Sequence, residues 1–183
     1  MNLIILGAGQ LAEIAKEIAE AVGGYERIEF LDDINPAAIG KLDDYKLYKG
    51  AFDDAIVAID DLNVRVTYFK KLKEAGFNIP KLIHPAAFVS PSSSVDEGTI
   101  VEPMSLLHTG TMIGKGCIIA EGSIIGHHSQ IDDFCYIAAH STVMQNTYMK
   151  PCTSTITGQL FFAEPTKRTV PEPHETYSFD SGM

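Results

Sequence analysis

The chain has no surplus of positive charge: 14 Lys and Arg stand against 24 Asp and Glu, for a formal net charge of −10. Without a basic stripe there is little to hold the phosphates of a nucleic acid or an anionic membrane surface, which argues against both as partners. Cysteine is scarce as well. Cys117, Cys135 and Cys152 are an odd number without CxxC spacing, which reads as reduced, buried thiols in a cytoplasmic protein. No apolar run reaches the roughly 18 residues of a membrane span. The apolar start MNLIILGAGQ lacks a basic n-region and runs into a glycine-rich turn, so it reads as a first strand and not as a signal peptide. What is present is globular composition, 45% hydrophobic and 21% charged over 183 residues, enough for one ordinary domain or two small ones. An anionic ligand such as a nucleotide has to be held by local amides or a few basic side chains.

Residues 1–83 alternate strand-like and helix-like segments. Asn2–Leu6 is a short apolar run ending at Gly7-Ala8-Gly9, as a buried strand does. Leu11, Ile14, Ala15, Ile18, Ala19 and Val22 recur at intervals of three and four, which predicts a helix over 10–22 closed by Gly23-Gly24. Strands are expected at 27–31, 55–59 and 79–83, and an amphipathic helix at 63–75 ending at Gly76. Strands alternating with helices imply a parallel sheet with right-handed crossovers. This α/β unit is about half of a full dinucleotide domain. The turn Gly7-Ala8-Gly9-Gln10-Leu11-Ala12 is a GxGxxA variant, and amides at a helix N-terminus suit a phosphate or a sugar hydroxyl. Such a turn also serves merely to join a strand tightly to a helix.

The period changes at His84-Pro85. Every sixth residue from Val89 is apolar: Val89, Val95, Val101, Leu107, Ile113, Ile119, Ile125, Ile131, Ile137, Val143 and Met149. The fourth residue after each of the first ten is small: Ser93, Thr99, Ser105, Thr111, Cys117, Ser123, Ser129, Cys135, Ser141 and Thr147. No helix or antiparallel strand has period six, so this is a repeat architecture. Three hexads make one triangular coil of an all-β, left-handed parallel β-helix. The aliphatic residue points inward and stacks on its equivalent 18 residues away, and the small residue packs beneath the corner. No coil buries its own edge, so several must stack. The expected layout is a Rossmann-like domain over 1–83, a β-helix over 84–150, and an irregular extension over 151–183 where the period fades and Pro165, Pro171 and Pro173 occur.

A short Rossmann-like domain, a His-Pro junction and hexapeptide repeats together resemble bacterial nucleotide-sugar acetyltransferases, among them the sialic-acid O-acetyltransferase-like proteins of glycan and capsule biosynthesis. The resemblance covers roughly residues 1–145. It implies a homotrimer that binds a UDP- or dTDP-amino-sugar with the N-terminal domain and acetyl-CoA between neighbouring β-helices, transferring the acetyl group to a sugar amine or hydroxyl without a metal. It implies a general base at His127, within Ile125-Gly126-His127-His128-Ser129, a residue that titrates near working pH. It also implies substrate contacts from Gly7, Gly9, Gln10, Asp32, Asp33, Asp60 and Arg65.

Three positions depart from the family pattern. His128 stands where an acidic residue usually orients the catalytic ring, and Ala120 where an Asn is usual. The repeat also fades about two coils early. Three other readings stay open. The His residues at 108, 127, 128 and 140 are ordinary zinc ligands and would suit a gamma-type carbonic anhydrase, which uses the same β-helix but lacks the N-terminal domain. The departures fit a trimeric sugar-nucleotide-binding protein without activity. Asp32-Asp33 also sits where an NAD-binding domain has an acidic residue, although 83 residues do not complete that fold.

Overall fold

The structure is a computed structural model that describes residues 1–162; Pro165, Pro171 and Pro173 lie outside the described residues. It opens with β1 (Asn2–Leu6), α1 (Gln10–Val22), β2 (Arg27–Leu31), a short 3-10 helix (Leu42–Tyr48), β3 (Asp54–Val57) and α2 (Leu62–Glu74). The three strands form a parallel sheet in the order β2-β1-β3, as strand–helix alternation dictates. Gly23 closes α1 through its N–H to the Ala19 carbonyl, and the Asp61 carboxylate caps α2 by accepting the Val64 N–H, satisfying a donor that the first helical turn leaves free. Both helix boundaries lie within one residue of those expected from periodicity.

The sheet is covered on both faces. Ile4, Leu6 and Val57 pack with Phe52, Phe69 and Leu72 on the side of α2. On the other side, Leu3 and Ile5 pack with Leu11, Ala15 and Ile18 of α1, and the same cluster takes in Leu82, Ile100 and Ile118. Helix α1 therefore lies in one apolar core shared by the sheet and the second half of the chain.

That second half is the expected β-helix. Three parallel sheets run along it, made of two-residue strands stacked 18 residues apart. The first face holds β4 (Leu82–Ile83), β7 (Ile100–Val101), β10 (Ile118–Ile119) and β13 (Tyr136–Ile137). The second holds β5 (Phe88–Val89), β8 (Leu106–Leu107), β11 (Ile124–Ile125), β14 (Thr142–Val143) and β16 (Leu160–Phe161). The third holds β6 (Ser94–Val95), β9 (Met112–Ile113), β12 (Gln130–Ile131) and β15 (Tyr148–Met149). Val101, Leu107, Ile113, Ile119, Ile125, Ile131, Ile137, Val143 and Met149 fill the prism and are no more than 3% exposed. Each such side chain stabilises the stack by about 1.5–3 kcal/mol relative to solvent exposure.

The small residues do more than fit. The hydroxyls of Ser93, Thr99, Ser105, Ser123, Ser129 and Ser141 each donate to a carbonyl 15 residues ahead, and the thiols of Cys117 and Cys135 do the same. Eight corners are thus tied to the next coil. Thr111 and Thr147 do not make this bond, and the buried Thr111 hydroxyl has no partner.

Two expectations change. Residues 79–83 do not close the N-terminal sheet. Pro80 has no N–H to donate, only Leu82 and Ile83 form a strand, and that strand pairs with β7 as the first rung of the β-helix. The repeat also runs past Met149. Every corner from 98 to 158 has its left-handed residue at intervals of six, ending at Cys152 (φ 58°) and Gly158 (φ 71°). The next inward positions are Thr155, 4% exposed, and Phe161, whose strand pairs with β14. Thr155 breaks the aliphatic pattern because its hydroxyl is used: it accepts the Ala138 N–H and bonds Ser141.

Candidate active site

The C-terminal edge of a parallel sheet is where an open α/β unit binds ligands, and here the loops after β1, β2 and β3 share that edge. Gly7 has φ +108°, and a Cβ there would meet the Ala58 carbonyl oxygen at 2.5 Å, so only glycine fits the turn. Gly9 is the N-cap of α1, with open space around it, and Gln10 beside it is exposed. The Asp32 carboxylate braces this turn. Its Oδ2 accepts the Ala8 N–H at 3.0 Å, its Oδ1 accepts the Ile34 and Asn35 N–H groups, and Asn35 donates back to the Ala8 carbonyl at 2.6 Å. Burial works against the Asp32 charge, but the three amides outweigh it and hold the carboxyl below its ordinary range. Asp33 accepts the Leu42 N–H, and Asp60 is exposed at the same edge.

Arg65 is placed differently. It is 3% exposed, and its Nη1 donates to the carbonyls of Ile59 and Asp60 at 2.9 and 3.1 Å. It supports the β3–α2 loop from beneath, while its buried Nε has no partner. Burial lowers its pKa from the usual range, opposed by the charges of Asp60 and Asp61.

Across the junction the edge meets the corner between the first and second faces of the β-helix. Glu102 sits there, 5% exposed and one coil before Ala120, with its Oε2 accepting the Glu121 N–H at 3.2 Å. Burial, a side-chain hydrogen bond with Glu121, and the charges of Glu121 and Asp60 push its carboxyl up to about 7. Burial raises the Tyr136 phenol too, and Glu102, Asp60 and Glu121 add to the effect. Sequence reasoning passed over Glu102 and Tyr136. The available signal was Glu102 in place of a small or apolar residue at a corner where Ala120 and Ala138 follow at intervals of 18.

His127 lies on the next corner, between the second and third faces. Its Nδ1 is 3.1 Å from Nδ1 of His128, and its ring stands edge-on to His108 at 5.7 Å between centroids. The Thr109 N–H donates to His108 Nδ1 at 2.7 Å. His128 has φ 56° and lies over Gly110, whose added Cβ would touch its ring at 3.0 Å. His140 belongs to a different corner, packed over Gly122. Three of the four histidines therefore converge, but among the described residues no group of three or more His, Cys, Asp or Glu is arranged to hold a metal ion.

Two segments of the chain match known domains. Residues 2–72 match the PglD N-terminal domain, and residues 110–145 match the bacterial transferase hexapeptide (six repeats). The chain thus pairs a segment similar to the PglD N-terminal domain with a segment similar to the transferase hexapeptide repeats, consistent with the expected resemblance to nucleotide-sugar acetyltransferases. Among solved structures it is similar to the acetyltransferase domain of PglB from Neisseria gonorrhoeae FA1090 in complex with acetyl coenzyme A. That match has 26% identity and a TM-score of 0.76, covering 86% of this chain and 85% of the other. It shares its fold with a mutant perosamine N-acetyltransferase from Caulobacter crescentus in complex with CoA and GDP-perosamine, at 22% identity and a TM-score of 0.77, covering 86% and 81%. Among the described residues no helix is long and apolar enough to cross a membrane.

Proposed function

We propose that this chain moves the acetyl group of acetyl-CoA to the amino group of a nucleotide-linked sugar, with His127 as general base. The observation that carries the reading is the pairing of a braced, amide-lined ligand edge with a β-helix corner that presents an imidazole, in a chain similar to an acetyltransferase domain solved with acetyl coenzyme A. His127 takes the proton that the sugar nitrogen must lose to attack the thioester carbonyl, the work of a general base. Gly7, Gly9, Gln10, Asp32, Asp33 and Asp60 serve the nucleotide sugar, and Arg65 serves it indirectly by holding the Asp60 loop.

A homotrimer fits this reading for two reasons. Within one chain the ligand edge adjoins the Glu102 corner, whereas His127 is a full β-helix face away, so a neighbouring copy brings the two together. The outer side of the second face also carries Phe88, Ile124 and Leu160, which are 58%, 42% and 54% exposed and aligned in register, an apolar strip that a neighbour would cover. Three free cysteines and the acetyl-CoA requirement suit the cytoplasm.

The test is to incubate the protein with acetyl-CoA and a panel of UDP-, dTDP- and GDP-linked amino sugars, following thiol release and the acetylated product by mass. Turnover with one member is expected. Tight sugar-nucleotide binding with no turnover on any member would instead leave a binding protein, the outcome that Ala120 and His128 favour.

A further inference from the structure

Among the described residues, Glu102 is the only charged side chain buried in the β-helix, at 5% exposed. It follows β7, in a column that begins at His84 one coil earlier and continues with Ala120 and Ala138. Its Oε2 accepts the Glu121 N–H at 3.2 Å, and its carboxyl also meets that of Glu121. Among the described residues no Lys, Arg or His stands at ion-pair distance from Glu102, Glu121 or Asp60. A buried carboxylate without a counter-ion is costly, and the fold does not call for the charge. A neutral amide at position 102 would accept the same Glu121 N–H.

We propose that Glu102 selects an amino sugar over a hydroxyl sugar, its carboxylate receiving the ammonium group with Glu121 and Asp60 beside it. This rests on the reading of the chain as an acetyltransferase of nucleotide-linked sugars.

Three separate elements bring these carboxyls together. Glu102 and Glu121 come from successive coils at one corner, and Asp60 comes from the β3–α2 loop, which belongs to the ligand edge. The charges of Glu121 and Asp60 reach Glu102, and all three reach Tyr136. Glu121 and Asp60 are exposed, so the group is not sealed from solvent. A nucleotide held by the amides of the Gly7–Gln10 turn has its sugar at this junction. A sugar hydroxyl brings one donor and no charge, whereas an ammonium brings three donors and the absent counter-ion. Only the ammonium offsets the cost of keeping the charge away from water.

The same crowding ties recognition to pH. Burial first, then Glu121 and Asp60, push the Glu102 carboxyl up to about 7. Below that value the carboxyl is neutral and has little hold on a cation; above it the carboxylate is present. The other titratable groups around it are few. His84 on the preceding coil accepts the Ala86 N–H at Nδ1, and His140 on the following coil lies over Gly122. The charge of Arg65 reaches Tyr136, but its Nη1 is engaged by the carbonyls of Ile59 and Asp60. Preference for the amine therefore grows as pH rises through about 7.

The experiment is calorimetric binding to the full chain without acetyl-CoA, at pH 5.5 and pH 7.5. The probes are UDP-, dTDP- and GDP-linked amino sugars, each beside the sugar nucleotide with a hydroxyl at the same carbon. The proteins are the unsubstituted chain and Glu102→Gln, which keeps the acceptor for the Glu121 N–H. At pH 7.5 the unsubstituted protein should bind one amino sugar about 10- to 100-fold more tightly than its hydroxyl counterpart, and most of that preference should vanish at pH 5.5. Glu102→Gln should bind both members of the pair alike at both pH values, with affinity for the hydroxyl sugar unchanged. No amine preference in the unsubstituted protein, a preference that survives Glu102→Gln, or an equal loss of both sugars in that variant would overturn the proposal. Failure of the functional reading looks different: the Glu102-dependent preference would be present, with no acetyl transfer once acetyl-CoA is added.

Discussion

The Asp32 carboxylate holds the Ala8 N–H at 3.0 Å and so fastens the end of β2 to the glycine turn of β1. Three amides share this one charge, and the ligand edge takes its shape from it.

Replacing Asp32 with Ala leaves those amides without their acceptor. A loss of about 1–3 kcal/mol of stability is expected, with weaker sugar-nucleotide binding, read by thermal unfolding with and without ligand. Asn, which retains an acceptor oxygen, should be milder. The pH dependence follows from the sign of the shift. The folded pKa lies below the unfolded value of about 3.8, so the contribution is complete above that value and is lost as pH falls through the folded pKa.

Glu102 carries the opposite sign. Its folded carboxyl titrates at about 7 and its unfolded one near 4.5, so the folded state loses ground as pH rises from 4.5 to 7 and stays penalised above that. Gln keeps an acceptor for the Glu121 N–H without the charge. Glu102→Gln should raise Tm by a few degrees at pH 8 and by almost nothing at pH 4.5, on a scale of about 2–4 °C per kcal/mol for a chain of this size. An equal rise at both pH values would mean that the carboxyl is not the cause.

The corner hydroxyls make a third prediction. Ser123 donates to the Ala138 carbonyl at 3.0 Å from a fully buried site. Ser123→Ala orphans that carbonyl and should cost about 1–2 kcal/mol in denaturant unfolding. Ser123→Cys should cost less, because Cys117 and Cys135 already make the same contact at equivalent corners.

Much of this was legible in the residues. Period six placed every inward side chain from Val95 to Met149, because a stacked prism accepts only apolar groups at those sites and small ones at the corners. The β1–α1–β2 boundaries followed from Leu11 to Val22 and from the glycines that flank them. Legibility ended where a polar residue took a structural place for reasons of hydrogen bonding. Thr155 fills an aliphatic position because Ala138 and Ser141 need its hydroxyl, so an apolar template stops two hexads too soon. Leu82–Ile83 reads as a strand of either half, and only pairing with Ile100–Val101 decides. Arg65 is expected as a substrate contact until its bonds to the carbonyls of Ile59 and Asp60 are seen. The effect of the Asp60 charge on Glu102 depends on how α1 docks on the β-helix, which no local pattern encodes.

The central assignment is His127, and acetyl transfer by His127→Asn tests it most directly. Acetyl-CoA is supplied with the amino-sugar nucleotide that the unsubstituted protein turns over, and the acetylated product is quantified by mass at saturating substrate. Loss of a general base should lower kcat by about 10²–10⁴-fold, with sugar-nucleotide affinity retained, since His127 lies a corner away from the edge braced by Asp32. A variant that acetylates at the unsubstituted rate would remove His127 from the chemistry.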